Sequence, residues 1–268
     1  AAAASAAAAA TTTTGRVEAA TACAEVSRSA RTQNRSSAGS RARRDLKGEI
    51  QMLTRLRHPH IIAVMGAVLG DGGEPLLVLE LMEFGSLRDL LRNCMVVLDA
   101  ESALRLLQGV ARGMAFLHAS DPPIVHSDLK SSNVLVNSQF QSKIADLGLS
   151  QIGTKTQTFS WGTAAWAAPE RLRGGPASCP ADVFSFGILL YEVATRRIPY
   201  EGELLSDVVS SVANRCHRPP VPAGCSQHLA AAMQQSWTQE PGDRPTFSEL
   251  QIRLDNMDLK NFYSAEWA

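Results

Sequence analysis

The chain has 268 residues, 45% of them hydrophobic, and its 26 basic residues balance 26 acidic ones. That is apolar content enough for a substantial core, and a net charge of zero excludes a global field drawing the molecule to nucleic acid or an anionic membrane. No run approaches about eighteen apolar residues without a charge, which excludes a membrane span in this segment; Cys23, Cys94, Cys179, Cys216 and Cys225 are scattered without a C-x-x-C pair, suiting reduced thiols in a cytoplasmic setting rather than a zinc site or a disulfide scaffold.

Residues 1–44 are low-complexity, with alanine tracts, four threonines at 11–14 and a Ser/Arg-rich stretch. They carry seven arginines against Glu18 and Glu25, no lysine and almost no large apolar residue. Such a segment cannot bury enough surface to offset its ordering entropy and is expected to be disordered. A solvated linker outweighs a nucleic-acid-binding arm, because no aromatic residues are interleaved among the arginines. The opening tract lacks a basic n-region and does not read as a signal peptide. Order is expected from Asp45 to about residue 257, with 258–268 as a tail.

Leu46, Ile50, Leu53 and Leu56 fall at helical spacing, and His58 with Pro59 ends that run. Residues 61–69 and 75–79 read as strands, and 85–91 as a short helix. Leu104, Leu107, Val110, Met114 and Leu117 then repeat every three or four residues, the pattern of a long core-facing helix. His58 and His60 flank a proline, so they share no helical face, and no third metal ligand stands near them. Residues 182–193 are apolar nearly all round, which marks a helix buried inside the domain.

The chemistry is concentrated between these helices. Residues 124–133 read Ile-Val-His-Ser-Asp-Leu-Lys-Ser-Ser-Asn, and Asp146, Leu147 and Gly148 follow a short strand at 143–145. A carboxylate (Asp128), an ammonium (Lys130) and an amide (Asn133) at fixed spacing, then a second carboxylate (Asp146) on a Gly-containing turn, suit phosphoryl transfer. That reaction needs a group to orient the incoming hydroxyl, cations against the γ-phosphoryl charge and oxygen ligands for Mg²⁺.

Residues 124–133 resemble the catalytic loop of the protein kinases, and Asp146 to Gly148 resemble that family's metal-binding Asp-Phe-Gly turn. The resemblance covers residues 45 to about 256. It implies an α+β, protein-kinase-like fold: mainly the helical C-lobe, plus one helix and two strands of a truncated N-lobe. Carried over, Asp128 accepts the substrate hydroxyl proton, Lys130 contacts the γ-phosphate, and Asn133 and Asp146 hold Mg²⁺. Leu79 becomes the gatekeeper, the backbone of Glu80 and Met82 bonds the adenine edge of ATP, and Leu135 packs beneath the adenine. Glu49 is the carboxylate that pairs with the ATP-anchoring lysine. Asp182 braces the catalytic-loop backbone, Thr163 hydrogen-bonds Asp128 and Lys130, Glu170 pairs with Arg244, and residues 149–161 form the activation loop. Lys130, Trp166, the Gly-Ser-Leu at 85–87 and the Asp-Arg-Pro at 243–245 look like the serine/threonine kinases of the tyrosine-kinase-like, Raf- and mixed-lineage-type group.

Three positions depart from the family pattern. Ser127 replaces the arginine before the catalytic Asp, which argues against control by an activation-loop phosphate. Leu147 replaces phenylalanine and is expected to stack between Leu53 and His126 without loss. No G-x-G-x-x-G and no strand lysine precede Glu49, and the first lysine, Lys47, is two residues from Glu49 on the same helix, on a different side. The expectation is a serine/threonine protein kinase acting on protein substrates, with ATP and Mg²⁺ as cofactors. The chain opens on alanine, so the missing strands are expected upstream of Ala1, with 1–44 inserted between them and the first helix. The alternative is a pseudokinase, a scaffold that lacks the ATP-anchoring lysine; Asp128, Lys130, Asn133 and Asp146 together argue against it, since a scaffold has no use for a proton acceptor or metal ligands.

Overall fold

The computed structural model describes residues 56–68, 76–147, 151–152, 163–222 and 224–257. Residues 1–55, among them Lys47, Glu49 and Leu53 of the expected first helix, together with Gly148, most of 149–161 and the tail 258–268, lie outside the described residues.

The architecture is α+β and mainly helical. Two short strands come first, β1 (Val64–Val68) and β2 (Leu76–Leu79), paired antiparallel with Val64 opposite Leu79 and Val68 opposite Leu76. The sequence predicts a strand from Ile61, but β1 starts three residues later. Residues 60–62 are diverted to another strand: the Ile144 amide donates to the His60 carbonyl at 2.9 Å, and the Ile62 amide donates to the Ile144 carbonyl at 2.9 Å.

Helix α1 (Leu87–Arg92) starts at a capping box, in which the Ser86 hydroxyl accepts from the Asp89 amide and the Asp89 carboxylate accepts from the Ser86 amide. The long helix α2 (Ala100–His118) starts where Asp99 accepts the Ser102 amide at 2.8 Å. Its apolar face packs on α7 (Phe247–Asp255) and on strand β5 (Ser142–Ile144). Glycine at 113 permits the second contact, because a Cβ there would lie 2.7 Å from the His60 carbonyl oxygen and from Ile144 Cδ1. Leu106, Leu107 and Leu117 are fully buried on this face, each stabilising the fold by about 1.5–3 kcal/mol.

Between α2 and β5 run β3 (Ile124–Val125), a 3₁₀ turn (Ser131–Asn133) and β4 (Val134–Val136). β4 pairs with β5, Leu135 opposite Lys143, and β3 pairs with β6 (Gln151–Ile152). After a short helix α3 (Pro169–Leu172), α4 (Cys179–Thr195) passes through the middle of the molecule, with every residue from 181 to 194 buried. It packs against α6 (Gln227–Ser236), while α5 (Leu205–Arg215) lies against α3. The chain leaves α4 through Arg196, whose backbone is left-handed at φ 54°. Its guanidinium donates to the carbonyls of Leu90, Leu91, Asn93 and Val96, closing the turn that follows α1. No helix among the described residues is long and apolar enough to cross a membrane.

Candidate active site

The turn at residues 126–133 hangs from a single buried carboxylate. Asp182, 1% exposed in the first turns of α4, accepts the backbone amides of His126 and Ser127, each at 2.8 Å. To offer both amides to one carboxylate the chain goes left-handed at Ser127, φ 69°. That conformation costs about 1–2 kcal/mol for a residue with a Cβ, and two hydrogen bonds to an ionised acceptor, each about 1.5–3 kcal/mol, offset it. The Ser127 hydroxyl is buried without a hydrogen-bond partner among the described residues. The His126 ring fixes the next residue: its Nδ1 accepts the Asp128 amide at 3.3 Å, so its Nε2 carries the proton and donates to the Ala145 carbonyl at 3.2 Å.

Three of the four groups singled out for phosphoryl transfer come together, with Lys130 and Asn133 converging on Asp128. Lys130 Nζ donates to its two carboxylate oxygens at 3.0 and 2.8 Å, and to Thr163 Oγ1 at 3.0 Å. Asn133 Nδ2 donates to the Asp128 backbone carbonyl at 2.8 Å and to its carboxylate at 3.0 Å. Asp128 and Asn133 are buried, so these bonds are made away from bulk water. The fourth group, Asp146, comes alongside through the backbone: the Ala145 amide donates to the Asn133 carbonyl at 2.9 Å. Asp146 is exposed and left-handed at φ 56°. Asn133 Oδ1 and the Asp146 carboxylate are hard oxygen donors of the kind Mg²⁺ takes, so the side chains present fit that ion. Leu147 is buried in the core at 1% exposure.

The predicted adenine residues also come together. Leu79, Met82 and Leu135 form one apolar cluster with Ile62 and Ala145, next to Asp146. The Glu80 amide is engaged, donating to the Ala63 carbonyl at 3.1 Å, which leaves its carbonyl as the group that can face a ligand. Among the described residues no backbone group pairs with the Met82 amide. The Glu80 side chain turns the other way, accepting from the Ala63 amide and from Lys143 Nζ, each at 2.7 Å. Glu49 lies outside the described residues, so its pairing has no counterpart in this geometry.

Farther out, Glu170 and Arg244 meet as a bidentate pair at 2.7 and 2.8 Å. Arg244 also donates to the carbonyls of Thr238, Pro180 and Gln239.

A family model for protein tyrosine and serine/threonine kinases matches residues 13–254. The chain belongs to that kinase family. Its curated relatives include the serine/threonine-protein kinase CTR1 of Arabidopsis thaliana, 39% identical over 209 residues, which are 75% of this chain and 25% of CTR1. The serine/threonine/tyrosine-protein kinase HT1 of the same plant is 35% identical over 217 residues, 79% of this chain and 54% of HT1. The kinase chain thus spans about a quarter of the first relative's length and about half of the second's. The family resemblance drawn from the motifs is borne out, and the match opens at residue 13, ahead of the start of order read from composition.

The candidate site also contains residues that sequence reasoning passed over. His118, the last residue of α2, places Nε2 2.9 Å from Asp182. Burial pulls its pKa down, but the hydrogen bond to Asp182, an interaction with Cys179 and the Asp182 charge outweigh this and raise it to about 9. Glu192 of α4 accepts from Ser131 Oγ and from Trp166 Nε1, both at 2.6 Å. Burial raises its carboxyl to about 7 against the pull of these donors. Lys143 was read only as part of a strand. A signal existed for Glu192, a carboxylate in a helix without a solvent face; none existed for His118.

Proposed function

We propose that the protein carrying this chain is a serine/threonine protein kinase, transferring the γ-phosphoryl group of ATP to Ser or Thr hydroxyls of protein substrates. The observation that carries the reading is the arrangement around Asp128, with Lys130, Asn133 and Thr163 locked to one another at 2.8–3.0 Å. An ion pair this shielded has no evident structural need, since Asp182 already anchors the turn. When bound, ATP with Mg²⁺ supplies the phosphoryl group and most of the charge to be neutralised.

The chain's own residues do the rest. The Asp128 carboxylate, fixed in direction by Lys130 and Asn133, orients the incoming hydroxyl and accepts its proton. The Lys130 ammonium, held between Asp128 and Thr163, lies where negative charge develops in the transition state. Asn133 Oδ1 and Asp146 would hold Mg²⁺. Leu79, Met82, Leu135 and the carbonyl of Glu80 would receive the adenine, and Glu49 would pair with an ATP-anchoring lysine. The same reading makes the protein cytoplasmic, with protein substrates and no nucleic-acid partner, which the balanced charge supports.

The test is phosphate transfer from labelled ATP to serine and threonine peptides by the full-length protein and its Asp128→Asn variant. Loss of the proton acceptor should lower turnover by about 10²–10⁴-fold while nucleotide affinity, read by fluorescent-ATP binding, stays within about twofold. A variant that stays active removes Asp128 from its role. A wild-type protein that transfers no phosphate shows a scaffold instead.

A further inference from the structure

Beside the catalytic turn lies a second recess that the phosphoryl-transfer site does not use. Arg88 and Arg92 of α1 line one side of it, Arg196 and Arg197 beyond α4 line the other, and Trp166 and Glu192 form its floor. Four arginines therefore share this lining with one glutamate, in a chain whose formal charge is zero. Arg196 is bound to the carbonyls after α1. Arg88, Arg92 and Arg197 enter no ion pair among the described residues. Arg88 is half-buried and Arg92 and Arg197 are exposed, so their donors are accessible.

The charge of Arg88 reaches Glu192, but Glu192 hydrogen-bonds none of the four. Its two oxygens are directed inward, one to Ser131 and the other to Trp166, and the residue is 5% exposed. The positive charge at the rim is left for something that arrives from outside.

The same two hydrogen bonds fix where that something must come from. Ser131 follows Lys130 directly, and Trp166 stands three residues after Thr163, whose hydroxyl binds Lys130. The floor of the recess is thus continuous with the catalytic turn. An extended polypeptide advances about 3.3 Å per residue, so a chain with its hydroxyl at Asp128 reaches the recess within a few residues.

We propose that this recess is a specificity subsite, in which the arginines of α1 and of the segment after α4 take an acidic side chain of the substrate, a few positions from the acceptor hydroxyl. The guanidinium fork suits a carboxylate or a phosphate equally, because both present coplanar acceptor oxygens to its paired N–H groups. The proposal rests on the kinase reading above and gives it a substrate class.

The experiment uses the full-length protein and serine peptides carrying Asp, Asn or phosphoserine at each flanking position in turn. At one position Asp should exceed Asn in kcat/KM by about tenfold, mainly through KM, the effect of one charge-assisted contact. The double variant Arg88→Glu, Arg197→Glu should abolish that preference and favour Lys there instead. Arg92→Glu provides a second, independent charge reversal, and thermal melting confirms that each variant is folded. A further gain with phosphoserine would identify a previously phosphorylated substrate as the source of the anion. Equal rates for Asp and Asn at every position overturn the proposal, as does a preference that survives both reversals. If no peptide is phosphorylated, the kinase reading fails first, and peptide binding by fluorescence anisotropy decides the recess separately. Salt-sensitive binding that favours Asp and is lost in the double variant keeps it as an anion site, and binding indifferent to charge removes it.

Discussion

Nε2 of His118 stands 2.9 Å from the carboxylate of Asp182, the same carboxylate that holds the amides of His126 and Ser127. The end of one helix thus supplies the counter-charge for the group that anchors the catalytic turn, sixty-four residues away in sequence. This dictates how the fold responds to alkali. The folded state keeps a proton, up to about pH 9, that the unfolded chain releases near 6.5. The ion pair therefore adds its full stability below pH 6.5 and loses it as the pH climbs to about 9. The total is about 3 kcal/mol. His118→Gln, which keeps a donor but not the charge, should be less stable than wild type at pH 6 and nearly equal to it at pH 9.5 in urea unfolding. A constant difference across that range would show that His118 is neutral in the folded protein.

Glu192 titrates in the same direction for the opposite reason. Its buried carboxyl holds a proton to about pH 7, whereas the unfolded chain gives it up near 4.5. Stability should fall as pH rises through that interval, again by about 3 kcal/mol. Glu192→Gln mimics the protonated acid: its carbonyl accepts from Trp166 and its amide donates to Ser131. The variant should lack this part of the pH dependence and be more stable than wild type at pH 7.5, as measured by thermal melting. A variant less stable than wild type at that pH would mean that Glu192 is ionised in place.

The pair of Glu170 and Arg244 makes a different kind of test. Arg244 has no exposed side-chain surface, so removing its partner leaves a buried cation. Glu170→Ala should cost about 3 kcal/mol, toward the lower end for a buried pair, because three carbonyls still accept from the guanidinium. Arg244→Met added to Glu170→Ala should recover part of that loss. Urea unfolding of the two variants decides it, and a single-variant loss below about 1 kcal/mol would place the pair among solvated surface bridges.

Much of this molecule was legible in the amino-acid sequence because the signals were local. The periodic leucines gave α2, the unbroken apolar run gave α4, and the spacing of Asp128, Lys130 and Asn133 gave the catalytic turn. The long-range bond from Asp182 to the turn, and that from Glu170 to Arg244, were implied by the resemblance to the kinases and not by any local pattern. The parts that escaped are those in which a residue's partner is brought in from a different element. His118 resembles any helix-terminal histidine until Asp182 is brought beside it, and Lys143 resembles any strand lysine until Glu80 turns toward it. Ile61 was assigned to a strand on its composition, whereas competition from Ile144 for the neighbouring backbone groups delays β1 to Val64. Such outcomes depend on topology, which no window of sequence contains.

The clasp formed by Arg196 has a consequence for how this protein can vary over evolutionary time. All four of its acceptors are main-chain oxygens, and every amino acid carries one of those. The path of the chain after α1 is therefore written about a hundred positions downstream, in a single codon. Cys94, Met95 and Val97, all exposed on that turn, can be exchanged freely without redirecting it. Substitutions should accumulate there across related proteins while the arginine stays, and an insertion in that turn would be tolerated only where it leaves those four oxygens in place.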